Sequence, residues 1–146
     1  MGTQAPVRAV VFDAYGTLFD VYSVALLAEQ MFPGQGNALG VLWRDKQIEY
    51  TRLTSMSERY RPFWELTRAG LRFAAAKLKL ALDPAAEERL MNQYRHLSAF
   101  PENREVLAEL KRRGIPSGIL SNGDPQMLDV AVKSAGFADL LTHVLS

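Results

Sequence analysis

Cysteine is absent from all 146 residues, and histidine occurs only twice. The missing thiols exclude disulfide scaffolds, thiolate metal centres and cysteine nucleophiles, and they fit a reducing cytoplasm. The two histidines, His96 and His143, have no spacing that suggests a triad or a metal site, so both read as structural or surface residues. Charge of one sign is equally scarce: 17 basic against 16 acidic side chains leave a formal net charge of +1. That balance predicts no whole-chain attraction to nucleic acid or to a membrane surface. No apolar run comes near the ~20 residues that a membrane-spanning helix needs. Residues 1–6, Met1-Gly2-Thr3-Gln4-Ala5-Pro6, lack the apolar core of a signal peptide. A soluble, cytoplasmic protein is expected.

What is present is ordinary for a globular chain, with 48% hydrophobic and 23% charged residues. The length suits one domain, or one domain carrying an inserted subdomain. Val7 to Phe12 reads as a strand buried on both faces, the pattern of a parallel sheet. From Val21 to about Ser98 the signal is helical. Asp20 caps a helix over Val21 to Phe32, which Pro33-Gly34-Gln35-Gly36 breaks. Leu39, Leu42, Trp43 and Ile48 stripe a second helix, and Phe63 to Leu80 suggests a third after Arg61-Pro62. Asp83-Pro84 opens a fourth. Pro101 to Arg113 is an amphipathic helix ended by Gly114. Ile115 to Ser121 is a second strand, Asp124-Pro125 starts a further helix running to Gly136, and Thr142 to Leu145 begins a third strand. This order predicts an α/β fold with a helical cap inserted after the first strand: residues 1–19 and 100–146 as a discontinuous core, and 20–99 as the cap.

Active sites in such sheets lie at the carboxyl ends of strands, which points to Asp13–Thr17 and to Ser121–Asp124. A carboxylate at Asp13 serves as nucleophile, metal ligand or turn-forming residue; the residue type alone does not choose. Gly16 permits a tight turn, and Thr17 places a hydroxyl four residues on. In the second segment Ser121 and Asn122 end a strand and Gly123 turns the chain toward a helix N-terminus, where backbone N–H groups bind anions. Asp124 reads as the cap of that helix. From Arg44 to Lys79 nine basic and four acidic side chains mark a mostly solvated helical face. A modest attraction for small carboxylates is a secondary expectation of that face.

The pair DAYGTLFD (Asp13 to Asp20) and ILSNGDP (Ile119 to Pro125), with helices between, resembles the haloacid dehalogenase superfamily. LWRDKQIEYT (Leu42 to Thr51) and AFPENREVLAELKRRG (Ala99 to Gly114) resemble its L-2-haloacid dehalogenases. The resemblance implies a Rossmann-like parallel sheet, an Asp13 nucleophile oriented by Thr17, and Arg44 stabilising the departing halide. It implies a substrate cradle of Ser121, Asn122 and the backbone N–H groups of Ala14 and Tyr15, with Phe63 on an apolar wall. Trp43 is expected in the core. No metal or cofactor is implied, and the partner is a small halogenated acid. Tyr15 stands where the superfamily's phosphatases carry a general acid, worth ~10²–10⁴-fold to them. Halide leaves as a stable anion without a proton, so dehalogenation is favoured over a Mg²⁺-dependent phosphatase. A third reading is a non-catalytic fragment or assembly module.

The resemblance also implies a longer chain, with a downstream Lys and acidic motif that have no counterpart here; neither Lys133 nor Asp139 substitutes for them. The expectation is a truncated form whose first strand is an exposed apolar edge. Such a form would be inactive alone, or completed by a C-terminal segment or a homodimer partner.

Overall fold

A computed structural model describes residue 2 and residues 4–146; Met1 and Thr3, within the segment expected to lack a signal peptide, lie outside the described residues. The chain divides into two compact units, Met1–Phe19 with Ala99–Ser146, and Asp20–Ser98.

The first unit is an α/β layer. Strands β1 (Val10–Phe12), β2 (Ser117–Leu120) and β3 (His143–Leu145) pair in that order, all parallel, with Phe12 opposite Ile119 and Ile119 opposite Val144. Helices α5 (Pro101–Arg112) and α6 (Pro125–Ala135) join them. Alternation along the strands puts Ser117 and Ile119 on the covered face, where they are buried with Leu107 of α5 and Leu128 of α6. The other face carries Val11, Leu120 and Leu145, which are 64%, 58% and 56% exposed. The first strand is therefore shorter than Val7 to Phe12 and is not buried on both faces. Among the described residues nothing pairs with its outer edge. The apolar run that reads as burial on both sides has a helix layer on one side.

The second unit is helical. Asp20 does accept from the Tyr22 backbone N–H at 3.0 Å, but the residues after it begin as a 3-10 turn, Val21–Ser23, before α1 (Val24–Met31). Helices α2 (Gly36–Met56), α3 (Phe63–Lys77) and α4 (Pro84–Arg95) follow. The third is shorter than Phe63 to Leu80, because Lys79 takes a left-handed φ of 56° and ends the turn. The Asp83 carboxylate caps α4 by accepting from Ala86 N–H at 2.7 Å, as its Asp-Pro start predicts. Arg68 and Arg72 of α3 both donate to Glu87 of α4. Those guanidinium bonds, that of Arg72 first, hold the Glu87 carboxyl below its usual range against the opposing effect of burial. Trp43, Leu39, Leu71, Leu90 and Met91 form a closed core.

The start of α2 is fastened by the preceding helix. Glu29 of α1 accepts from the backbone N–H of Gly34 in the connecting turn and from that of Gly36 at 2.8 Å, the latter a donor that α2 leaves open at its N-terminus. Only a glycine fits at position 36: a Cβ there would lie 2.6 Å from Glu29 N and 2.7 Å from the Ala25 carbonyl oxygen, both backbone atoms that cannot turn aside. Gly36→Ala is expected to cost roughly 1–3 kcal/mol by forcing the helices apart. A drop in thermal midpoint measures it, and an unchanged midpoint would contradict this packing.

Candidate active site

The parallel pairing of β1 and β2 places two loops at one end of the sheet, one led by Asp13 and one by Ser121. The first is a tight loop built around a single carbonyl. The oxygen of Ala14 accepts from Thr17 N–H at 3.2 Å, Leu18 N–H at 2.9 Å and Phe19 N–H at 3.0 Å, while Gly16 N–H donates back to the Phe19 carbonyl at 2.8 Å. Gly16 sits at a φ of 89°, which favours glycine, so the residue type and the turn agree. The loop leaves Asp13 and Thr17 exposed and buries Ala14, Tyr15, Leu18 and Phe19. Thr17 Oγ1 points its proton at Asp13 Oδ2 from 3.4 Å, a long contact that orients the carboxylate without holding it strongly.

Asn103 of α5 bolts this loop down, donating from Nδ2 to the carbonyl oxygens of Thr17 at 2.9 Å and Leu18 at 3.2 Å. Nothing in the sequence singles Asn103 out except an amide in the first turn of a helix. The second loop is closed by Ser121, whose Oγ accepts from Gly123 N–H at 3.1 Å, while Ser121 N–H donates to the Leu145 carbonyl at 3.1 Å. Asn122 between them is exposed. Asp124 occupies the N-cap position of α6, as Asp124-Pro125 predicts, although its side chain makes no capping hydrogen bond. Tyr15 ties the loops together: a Cβ added at Gly123 would lie 2.6 Å from its ring. Asp13, Ala14, Tyr15, Thr17, Ser121 and Asn122 thus share one end of one sheet.

Arg44 and Phe63 belong to the helical unit. Arg44, half-buried on α2, donates from Nη1 to the amide oxygen of Gln47 at 2.8 Å. That amide is wholly buried; it accepts also from the Tyr94 hydroxyl at 3.0 Å and donates to Thr67 Oγ1 at 2.8 Å. The chain of bonds ends at the carbonyl of Phe63, which accepts from Thr67 at 2.7 Å. Phe63 itself is buried as the first residue of α3, and Trp43 is a core residue whose indole N–H donates to the Thr67 carbonyl at 2.8 Å. Sequence reasoning missed Gln47, Thr67 and Tyr94. The only local signal was a Gln three residues after Arg44, on the same helix face.

The histidines stay outside both clusters. His96 faces the Asn92 carbonyl at 2.9 Å at the end of α4, and His143 lies on an exposed part of β3. Among the described residues no group of three or more His, Asp or Glu side chains gathers as a metal site would require, and no helix is long and apolar enough to cross a membrane.

The model of one family, haloacid dehalogenase-like hydrolase, matches residues 7–146. The chain belongs to that family. Among curated haloacid dehalogenase-like relatives, the (S)-2-haloacid dehalogenase of Pseudomonas sp. (strain YL) is 45% identical over 140 residues, spanning 96% of this chain and 60% of that protein. The enzyme of the same name from Xanthobacter autotrophicus is 41% identical, over 96% of this chain and 54% of its own length. A solved structure of the L-2-haloacid dehalogenase from that organism, with chloropropionic acid covalently bound, matches with a TM-score of 0.89 and 40% identity, covering 97% of this chain and 57% of that one. A further crystallised L-2-haloacid dehalogenase is 61% identical, with a TM-score of 0.92 and coverage of 97% and 64%. The chain spans about 60% of the length of the curated relatives it matches.

The buried phenol of Tyr94 carries a pH signature. Burial pushes it up to about 12 from its ordinary 10, against the nearby Arg44 charge, which acts the other way. Because folding favours the protonated phenol, its contribution to stability is complete below pH 10 and is lost as pH rises from 10 through about 12. One of the five tyrosines is therefore expected to ionise late in a phenolate absorbance titration. Tyr94→Phe is expected to remove that late step and flatten the alkaline loss of stability.

Proposed function

We propose that the protein hydrolyses (S)-2-haloacids to (R)-2-hydroxyacids through an ester on Asp13. The carboxylate oxygen attacks the carbon that bears the halogen from the rear. The carbon–oxygen bond forms as the carbon–halogen bond breaks, and halide leaves with the bonding electrons, inverting the centre. Water then adds at the Asp13 carbonyl carbon. The ester opens to the hydroxyacid, the carboxylate returns with one solvent oxygen, and one proton goes to solvent. Thr17 orients the nucleophile. Ser121, Asn122 and the backbone N–H groups of Ala14 and Tyr15 hold the substrate carboxylate, Arg44 receives the halide, and Phe63 forms part of the apolar wall. Arginine suits its task because it stays charged and donates several bonds.

The observation that carries this reading is an exposed carboxylate at a strand tip with a buried tyrosine, not a second acid, two residues on. The likeness to dehalogenases, one of them solved with covalently bound chloropropionic acid, supports the same chemistry. Metal is not needed, since the substrate carries a single carboxylate charge. The reading includes a cytoplasmic setting. It also includes a complementing segment or a second copy on the sheet face that carries Val11, Leu120 and Leu145.

From the chain completed by that segment or second copy, chloride release from 2-chloropropionate is expected, with no phosphate release from a monoester with or without Mg²⁺. Asp13→Asn is expected to lower halide release by at least ~10⁴-fold. In a single turnover in oxygen-labelled water, label should enter Asp13 before product. Label found first in the hydroxyacid would sink the covalent route, and phosphate release in place of chloride would sink the dehalogenase reading.

A further inference from the structure

Arg44 is not positioned by chance packing; donor and acceptor accounting determines its partner. The Thr67 hydroxyl has one proton, and it goes to the Phe63 carbonyl at 2.7 Å. Toward Gln47 that hydroxyl can only accept, so the amide end 2.8 Å away must be the NH₂. The other end is then the oxygen, and two donors converge on it: Arg44 Nη1 at 2.8 Å and the Tyr94 hydroxyl at 3.0 Å. A flipped amide would face both donors with more protons and leave Thr67 facing an acceptor with nothing to give. Through that one oxygen Gln47 joins Arg44 of α2 to Tyr94 of α4. Helix α3 supplies the third wall. At Gly70 it approaches so closely that a Cβ would lie 3.2 Å from Gln47 N. The Trp43 ring braces the phenol, their centroids 5.3 Å apart.

We infer that Gln47 and Tyr94 are positioning residues that hold the Arg44 guanidinium in one orientation for the leaving halide. The purpose rests on the proposed reaction; the geometry does not. A neutral amide oxygen and a phenol orient a cation without cancelling its charge, whereas a carboxylate in the same place would spend that charge on itself. With Gln47 wholly buried, its bonds to Arg44 and Tyr94 do not compete with water.

The test is isotope-labelled nitrogen NMR of the arginine side chains in the full chain, with Arg44→Lys identifying the Arg44 signals. In the parent these signals are expected to show slow, hindered rotation of the guanidinium. Gln47→Leu and Tyr94→Phe should each speed that rotation by about tenfold or more, while Gln47→Glu, which restores an acceptor of the same shape, should slow it again. Tyr94→Phe removes a single oxygen and decides the matter where Gln47→Leu does not fold. Where chloride release is measured, Tyr94→Phe should lower kcat by up to ~10²-fold with KM nearly unchanged. Rotation unchanged in Tyr94→Phe would overturn the inference, as would failure of Gln47→Glu to slow it. A parent that releases no halide yet shows the hindered Arg44 signals would count against the reaction and leave the positioning supported.

Discussion

The register of β1 on β2 is the constraint from which the sheet-borne part of the site follows. With Val10 opposite Ser117 and Phe12 opposite Ile119, both strands run the same way and reach their carboxyl ends together. Two loops distant in sequence become neighbours about 5 Å apart, the ordinary spacing of paired strands. Parallel strands need a long crossover, and here it contains the entire helical unit as well as α5. Strands this short have few ladder bonds of their own. Their positions are set by the covered face, where Ile119 is buried with α5 and α6, and by the ring contact of Phe19 with Phe137 at 6.0 Å. The rigidity of the Asp13 loop is borrowed from that core.

Two ways of fixing polar groups coexist in this chain, and they obey different physics. At the sheet end the backbone is fixed by loop closure: the Ala14 carbonyl accepts from three N–H groups and Ser121 Oγ accepts from the Gly123 N–H, so those donors are spent on the loops themselves. In the helical unit a full positive charge stands half-buried on α2 and donates to the neutral amide oxygen of Gln47. In the proposed reaction a full charge would matter most where charge develops, on the departing halide.

How much of this was legible in the residues depends on whether the signal was local. Asp13, Gly16 and Thr17 could be placed because a strand, a glycine turn and a hydroxyl succeed one another within five positions; the loop obeys that order. Asp83-Pro84 named its helix start correctly for the same reason. The end of α3 could not be read, since Lys79 adopts a left-handed turn with no glycine to announce it. Val7 to Phe12 misled in both length and burial: an apolar run states what a strand would bury, not whether anything lies over it. Gln47 and Tyr94 were invisible as a pair. Forty-seven residues separate them, and the bond exists only because α2, α3 and α4 pack as they do.

The two units differ in how fully they satisfy their own hydrophobic surface, and this difference bears on the chemistry. The helical unit encloses Trp43, Leu39, Leu71, Leu90 and Met91, and its polar interior is bonded throughout: among the described residues no buried side-chain nitrogen or oxygen is left without a partner. The sheet unit buries one face and presents Val11, Leu120 and Leu145 on the other. Parallel sheets are almost always covered on both sides, because uncovered apolar strands gain by association. Val11 and Leu120 lie within two residues of Asp13 and next to Ser121, so anything that covered that face would also stiffen the strand tips. A nucleophile must stay within a fraction of an ångström of its line of attack. In the proposed reaction, covering the apolar face would therefore serve the Asp13 nucleophile as well as the sheet.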